Sequence, residues 1–313
     1  MASDRAQVVG AVNVPPPRLA ACVAVLAVAA TSGSAAAQTV FRTATDMVVL
    51  NVTATRGQQI VGGLPREAFT VLEDGRPQEI QVFSRDPQPI ALSLLIDTST
   101  SMEDRMTLAA DAAVGFIQRL RPDDIAQVVT FNDSAEIRQA FTADQRQLEQ
   151  AIRTAQPHGS TSLYTALYVA FAEFERLGRQ TRGDVRRQAI VLLSDGEDTA
   201  GLLTGDDVIE RARRSDVIVF AIVLRGGSTS TSYDFALRSM AQATGGRVMT
   251  VTSAAELPAI YTQIADELAT QYTIGYISNA PERRGWRPVT VRIDAPGVVA
   301  RTRAGYLASP HTR

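Results

Sequence analysis

Two apolar runs of the sequence end in an aspartate and continue with polar residues. The stretch "LLIDTSTS" (94–101) places Asp97 after the run, with Ser99 and Ser101 at alternate positions behind it. The stretch "QAIVLLSDGED" (188–198) ends its run in the same way at Asp195. Continuous apolar runs are typical of parallel strands that are covered on both faces. We therefore expect both carboxylates at the carboxyl ends of buried strands.

These residue types predict a site for a hard cation. Ligands of open α/β sheets bind beyond the carboxyl ends of the strands, where neighbouring strands would bring Asp97 and Asp195 together. Two carboxylates at close range are unfavourable unless one is protonated or a cation lies between them. The hydroxyls of Ser99 and Ser101 favour the cation, and Thr161 in "HGSTSL" offers another hydroxyl. Because hard cations prefer oxygen ligands, we expect Mg²⁺ at this site, with Mn²⁺ or Ca²⁺ as alternatives.

The elements that must position these residues follow a regular order. From residue 89 to residue 270, predicted strands alternate with predicted helices, as in "DIAQVVTF", "ADQRQLEQAIRTA" and "DVIVFAIVL". "AEIRQAF" is expected to pair with "DIAQVVTF" across the turn "NDS". This succession predicts an α/β fold with a doubly wound, mostly parallel sheet flanked by helices.

The segments on either side of this region are predicted to contain strands only. Residues 38–88 include "AFTVLEDG" and "QEIQVFS", and residues 271–313 include "QYTIGYIS", "RPVTVRID" and "ARTRAGY". The stretch "RRGWRP" is expected to form a hairpin loop whose Trp286 packs on these strands. Each flank is too short to bury a core alone. We therefore expect the two flanks to pair into one small β-sandwich-like domain.

The first 37 residues have the pattern of a secretory signal peptide. The apolar core "LAACVAVLAVAA" has small residues after it, which predicts cleavage before Gln38. That core is shorter than the roughly 20 residues that span a bilayer, so it is not expected to be a membrane span. We also expect no stable membrane span in the mature chain. The mature chain is expected in the periplasm or outside the cell. Cleavage would remove Cys22, the sequence's one cysteine, and with it any disulfide or thiol ligand.

The composition bears on the class of partner. The formal net charge is −2 for 313 residues, and the sequence gives no case for the clustered basic face that nucleic-acid binding requires. We therefore expect no nucleic-acid partner.

Three motifs together resemble the von Willebrand factor type A domain. "DTSTS" is similar to the D-x-S-x-S signature of the metal-ion-dependent adhesion site in that family. "GSTSLYTAL" is similar to the segment that contributes a threonine, although Ser160 stands where glycine is usual, and "LLSDGED" is similar to the segment that contributes the second aspartate. The flanks, as in "GLPREAFTVLEDGRPQEIQVFS", resemble the bacterial, acidobacterial-type subfamily of these domains.

The resemblance implies a recognition site rather than an active site. In the family, the ion leaves one coordination position for a carboxylate from a partner. The resemblance gives Ser99, Ser101 and Thr161 direct or near-direct hydroxyl contacts, and gives Asp97 and Asp195 contacts that are direct or through water. Glu197 and Asp198 become outer candidates. We therefore expect a protein that is not an enzyme and that binds a protein or peptide offering an Asp or Glu side chain.

Two other functions stay open at this point. The same fold can serve as a metal-independent scaffold or assembly subunit that contacts partners elsewhere. A metal-dependent hydrolase would need a general base near metal-bound water, and His158 is the histidine placed to supply one. The sequence contains neither a G-x-S-x-G elbow nor a G-x-x-x-x-G-K-[ST] phosphate loop.

Overall fold

A six-stranded sheet forms the centre of the α/β region. The computed structural model describes residues 47–181, 186–196, 198–224 and 231–308, without the side chains of residues 231 and 232. The sheet has the order β11-β10-β9-β6-β7-β8, and only β8 runs antiparallel to its neighbour. Its strands are β6 (Ile90–Asp97), β7 (Ile125–Phe131), β8 (Ala135–Thr142), β9 (Arg187–Ser194), β10 (Ile218–Leu224) and β11 (Arg247–Val251).

Helices cover both faces of this sheet, as the sequence predicted. They are α1 (Met106–Ile117), α2 (Gln145–Arg153), α3 (Leu163–Gln180), α4 (Gly205–Arg213), α5 (Thr231–Thr244) and α6 (Leu257–Thr270). One buried cluster joins a face of the sheet to α1, α2 and α6, and a second joins the opposite face to α3, α4 and α5. Every residue of β6 is buried, because the strand has a helix layer on each side.

Two antiparallel sheets are built from the flanks. One has the order β14-β1-β12-β5, with β2 also paired to β1, and the other has the order β15-β13-β3-β4. Strands from both flanks share each sheet. They are β1 (Met47–Arg56), β2 (Gln59–Ile60), β3 (Phe69–Glu73), β4 (Arg76–Gln78), β5 (Ile80–Ser84), β12 (Tyr272–Ile277), β13 (Gly285–Ile293), β14 (Val298–Arg301) and β15 (Gly305–Ala308).

The two flanking sheets enclose a core of their own. Leu50 and Ile274 face it from one sheet, and Val71 and Val291 face it from the other. Period-two alternation in β13 places every second side chain in this core, which is the pattern of a sheet with one covered face. The pairing of the flanks that the sequence predicted is thus present in the fold.

The structure divides two stretches that the sequence suggested were single strands. "ARTRAGY" supplies the end of β14 and the start of β15, which belong to different sheets. "QEIQVFS" likewise spans Gln78, in β4, and the whole of β5, in the other sheet. Trp286 lies inside β13, paired with Leu307, and not in a hairpin loop. Alternation of apolar residues predicts a strand, but it does not show which of two sheets receives it.

The predicted signal peptide, residues 1–37, and its cleavage position lie outside the described residues. Within the part of the chain that the structure describes, no helix is both long and apolar enough to cross a membrane.

Candidate metal centre

Two neighbouring strands bring the predicted carboxylates to one edge of the sheet. Asp97 is the last residue of β6, and Asp195 directly follows Ser194, the last residue of β9. The two strands pair in parallel, with Ile96 opposite Leu193. Parallel pairing places both carboxyl ends on the same side, so the aspartates meet there. After β6 the chain continues to β7 on one side of that strand, and the later strand β9 lies on its other side. The strand order therefore reverses at β6, and the carboxyl end of β6 lies at the switch point of the sheet.

The side chain of Asp97 is completely buried and hydrogen-bonded at both oxygens. Its Oδ1 accepts from the backbone N–H of Ser99 at 2.8 Å, and its Oδ2 accepts from the hydroxyl of Ser194 at 2.6 Å. Burial raises the pKa of Asp97 to about 6, and the charge of Asp195 adds to the rise. Hydrogen bonds from Ser194 and Ser99 act in the opposite direction. The site therefore holds a carboxylate whose ionisation is costly while no cation compensates it.

Asp195 is linked to the two serines of the predicted motif. The Ser101 hydroxyl donates to Oδ1 of Asp195 at 2.7 Å, and the Oγ atoms of Ser99 and Ser101 lie 3.0 Å apart, within hydrogen-bond distance. Nη1 of Arg105 donates to Oδ2 of Asp195 at 2.5 Å. The side chain of Asp195 is only 1% exposed, so this contact with a guanidinium compensates a buried charge.

Thr161 is held against the loop that follows Asp195. Its backbone N–H donates to the Thr199 hydroxyl, and its carbonyl accepts from the N–H groups of Thr199 and Ala200. A Cβ atom added to Gly196 would lie 3.9 Å from the Thr161 hydroxyl oxygen. The structure thus brings Thr161 beside the residues that follow β9, in the turn that leads into α3.

Backbone contacts fasten the Thr161 turn to the loop after β6. The N–H of His158 donates to the Thr98 carbonyl at 2.8 Å, and the N–H of Thr100 donates to the Gly159 carbonyl at 3.1 Å. The His158 ring is exposed and lies beside Asn132, with 3.0 Å between its Nε2 and Nδ2 of the asparagine. These contacts give His158 a role in shaping the loop.

Asp198, one of the two outer candidates, caps the start of α3. Asp198 accepts from the backbone N–H of Tyr164 at 2.8 Å, in the first turn of α3, and from that of Gly201 at 2.7 Å. An acidic side chain at this end of a helix is favoured by the free N–H groups and the dipole. Glu197 lies outside the described residues.

The donor set fits a hard divalent cation. Two carboxylates and three hydroxyls lie on adjoining loops at one edge of the sheet, and all five donor atoms are oxygens. The described ranges contain no group of three or more His, Cys, Asp or Glu side chains suited to a metal, so this set differs from a carboxylate cage in its dependence on hydroxyls. Sequence reasoning missed Ser194 and Arg105, since a strand residue and a helix-side arginine have no pattern that indicates contact with these aspartates.

Comparisons with known proteins agree with this architecture. A von Willebrand factor type A domain from Catenulispora acidiphila superposes with a TM-score of 0.52 at 15% identity, over 86% of this chain and 65% of that one. Proximal thread matrix protein 1 from the mussel byssus, described with a zinc-occupied MIDAS motif, superposes with a TM-score of 0.50 at 21% identity, over 61% of this chain and 48% of that one. This chain thus spans less than two thirds of either protein. The search of curated proteins returned no match.

The sequence itself carries the assignment to a family. The family model described as von Willebrand factor type A domain matches residues 92–263, which is more than half of the chain and includes every predicted site residue. The chain belongs to the von Willebrand factor type A domain family.

Proposed function

We propose that this protein binds a protein or peptide partner through a divalent cation held by Asp97, Ser99, Ser101, Thr161 and Asp195. The single observation that carries the proposal is the convergence of two buried carboxylates with the hydroxyls of Ser99 and Ser101 at the carboxyl edge of the sheet. Thr161 supports it from its position beside the loop that follows Asp195. This edge is where open α/β sheets bind ligands. Mg²⁺ is the proposed ion, and Mn²⁺ and Ca²⁺ are the alternatives.

The chemistry of the donors suits recognition. A bound cation would supply an electrophilic centre for a carboxylate oxygen from a partner. The proposed ligand set includes two carboxylates, and its three hydroxyls are neutral and bring no negative charge. The partner's Asp or Glu would therefore contribute a large part of the compensating charge. The zinc-occupied MIDAS motif named for the mussel protein supports a cation at this position in the fold.

The site residues support recognition over catalysis. His158 would be the general base of a hydrolase, but its backbone and ring are used in contacts with Thr98 and Asn132. We propose that the protein is not an enzyme. Export through cleavage before Gln38, membership of the acidobacterial-type subfamily and the division into segments 38–88, 89–270 and 271–313 belong to the same proposal, supported by the signal-peptide pattern and the flank sequences.

One observation favours a second candidate, a metal-independent scaffold. Arg105 already compensates Asp195, so the charged edge of the sheet has a cationic partner from the chain itself. In that case partners would bind elsewhere on the fold, and their binding would survive a chelator.

Calorimetric titration with Mg²⁺ and Mn²⁺ separates these candidates. We expect saturable binding by the wild type and at least about tenfold weaker binding by Ser99→Ala and Thr161→Ala, because each loses one oxygen ligand. Ser160→Ala is the matched control, since Ser160 is exposed and donates to Asp133 through its backbone N–H. Absence of binding by folded wild-type protein would support the metal-independent scaffold. Equal binding by all three variants would show that the ion is not held by Ser99 and Thr161.

A further inference from the structure

A cavity lies between the α/β region and the flanking β-sheets, and its walls carry arginines. It has a volume of about 340 Å³. Arg238 of α5, Arg247 at the start of β11 and Arg301 at the end of β14 line it, together with neutral residues of β13 such as Thr290. The cavity is therefore formed jointly by both parts of the fold, at the edge strand of the central sheet and apart from the candidate metal centre.

The positive charge of the cavity exceeds its negative charge. The carboxylate of Glu267 contacts the guanidinium groups of both Arg301 and Arg247, so one buried negative charge compensates two positive charges only in part. Arg238 is exposed and has no hydrogen-bond or ion-pair partner among the described residues. Three guanidinium groups against one carboxylate leave a surplus of two positive charges around the cavity.

Two buried hydrogen-bond donors beside the cavity lack an acceptor among the described residues. Nε of Arg247 is buried and lies 3.3 Å from Oε2 of Glu267, but without the alignment of a hydrogen bond. The hydroxyl of Thr302, also in the wall, is buried and has no hydrogen-bond partner in the described part of the chain. Burial and the charge of Arg301 hold the pKa of Arg247 below its usual value despite the charge of Glu267. An unsatisfied buried donor is costly, and an acceptor brought into the cavity would remove that cost.

We propose that this cavity binds a small ligand that carries an oxyanion group, either phosphate or carboxylate. A planar guanidinium presents paired N–H donors that match two oxygens of such a group. Arg238 and Arg247 supply the free charge and the free donor, and Arg301 is held by Glu267 and by the carbonyl of Gly245 at 2.8 Å. The ligand would bridge α5 and β11 to the flanking strands β13 and β14. This inference does not depend on the proposed metal site.

The test is calorimetric titration of the chelator-treated protein with inorganic phosphate and, separately, with succinate, at constant ionic strength. We expect saturable binding of at least one anion, with an apparent Kd at least about tenfold larger for Arg238→Gln and for Arg247→Gln. Arg179→Gln, which removes the same charge from the exposed end of α3, is the matched control and should bind like the wild type. The stronger of the two probes identifies phosphate or carboxylate as the preferred group.

Arg238→Gln keeps the test independent of folding, because Arg238 makes no hydrogen bond or ion pair with the residues that the structure describes. Thermal unfolding of each variant without anion checks this, and we expect Arg238→Gln to unfold at the wild-type temperature. Failure of the folded wild type to bind either anion would overturn the proposal. Equal weakening by Arg238→Gln and Arg179→Gln would overturn it too, because the effect would then be one of net charge.

Discussion

Buried charge is the dominant feature of the candidate metal centre at the scale of single residues. Asp97 has no exposed surface, Asp195 is almost fully buried, and Arg105 contacts only the second of them. The first aspartate therefore relies on hydrogen bonds from Ser99 and Ser194 alone. Its pKa of about 6 reflects that imbalance.

The raised pKa predicts an unusual effect of Asp97→Asn in the presence of a chelator. The pKa of this acid is raised in the folded state, so the protonated side chain contributes to the free energy of unfolding. That contribution is complete below the unfolded pKa near 3.8 and is lost as pH rises through about 6. The asparagine has no such loss. We expect it to be more stable than the wild type by up to about 3 kcal/mol at pH 7.5, with no difference near pH 4.

Urea unfolding at several pH values measures this difference. Saturating Mg²⁺ serves as the control, because it should stabilise the wild type and leave Asp97→Asn unchanged. A wild type that is the more stable protein at pH 7.5 without metal would show that Arg105 compensates both aspartates.

At the scale of elements, the centre depends on a turn that glycine makes accessible. Gly159 has a φ of +74°, and a Cβ added there would clash with the carboxylate of Asp133. That carboxylate accepts from the N–H of Ser160 at 2.8 Å, next to Thr161. The turn thus connects the end of the β7–β8 hairpin to the third hydroxyl of the site.

Gly159→Ala is expected to weaken cation binding as well as stability. A side chain at positive φ costs about 1 kcal/mol, and Asp133 would also have to swing away and give up its bond to Ser160. Gly57→Ala is the matched control, because Gly57 has a φ of +60° and open space around its Cβ position. We expect Gly159→Ala to lose at least about 1 kcal/mol more than the control, measured by urea unfolding, and to bind Mn²⁺ more weakly, measured by calorimetry. If Gly159→Ala is destabilised but binds Mn²⁺ as the wild type does, the turn does not position the ligands of the site.

The strands and loops show which features of the fold could be predicted from the sequence. The buried runs ending in Asp97 and Asp195 were sufficient to predict parallel strands with their acids at one edge, because such runs need cover on both faces. The same reasoning could not place Gln78 and Ile80 in different sheets, since a change of sheet leaves the alternation unaltered. Arg105 was equally out of reach, because its contact with Asp195 arises only from the packing of distant segments.

On the scale of the whole molecule, Glu267 of α6 ties the flanking strands to the α/β region. Its carboxylate accepts from the Thr53 hydroxyl in β1 at 3.2 Å, and it forms ion pairs with Arg301 in β14 and Arg247 in β11. The side chain is only 1% exposed, so these partners replace the water that it lacks. Segments from three regions of the chain thus meet at one acid.

Glu267→Gln should therefore destabilise the protein strongly. Loss of the charge leaves Arg301 and Arg247, whose side chains are 26% and 30% exposed, without their acid. We expect the free energy of unfolding to fall by about 2–3 kcal/mol, which is below the range for fully buried pairs because the arginines are partly solvated. Asp266→Asn is the control, because its side chain is 59% exposed and lies 3.7 Å from Arg119, so we expect a change within about 0.5 kcal/mol. Urea unfolding measures both. Equal effects of the two substitutions would contradict the assignment of Glu267 as a connector.

The pairing of β1 with β12 and β14 has a consequence for how the chain acquires its structure. Thr53 and Gln271 are hydrogen-bonded partners although 218 positions separate them. Contacts of such high sequence separation form slowly, because a long loop must close before they contribute. While the chain is synthesised, β1 and β3 emerge long before β12 and β13, the distant strands with which they pair, and they expose apolar residues such as Leu50 and Val71. Folding of the flanking sheets thus has to wait until β12 and β13 have been synthesised. A chain interrupted before Tyr272 would keep β5 without β12, as an unpaired strand that is prone to aggregate.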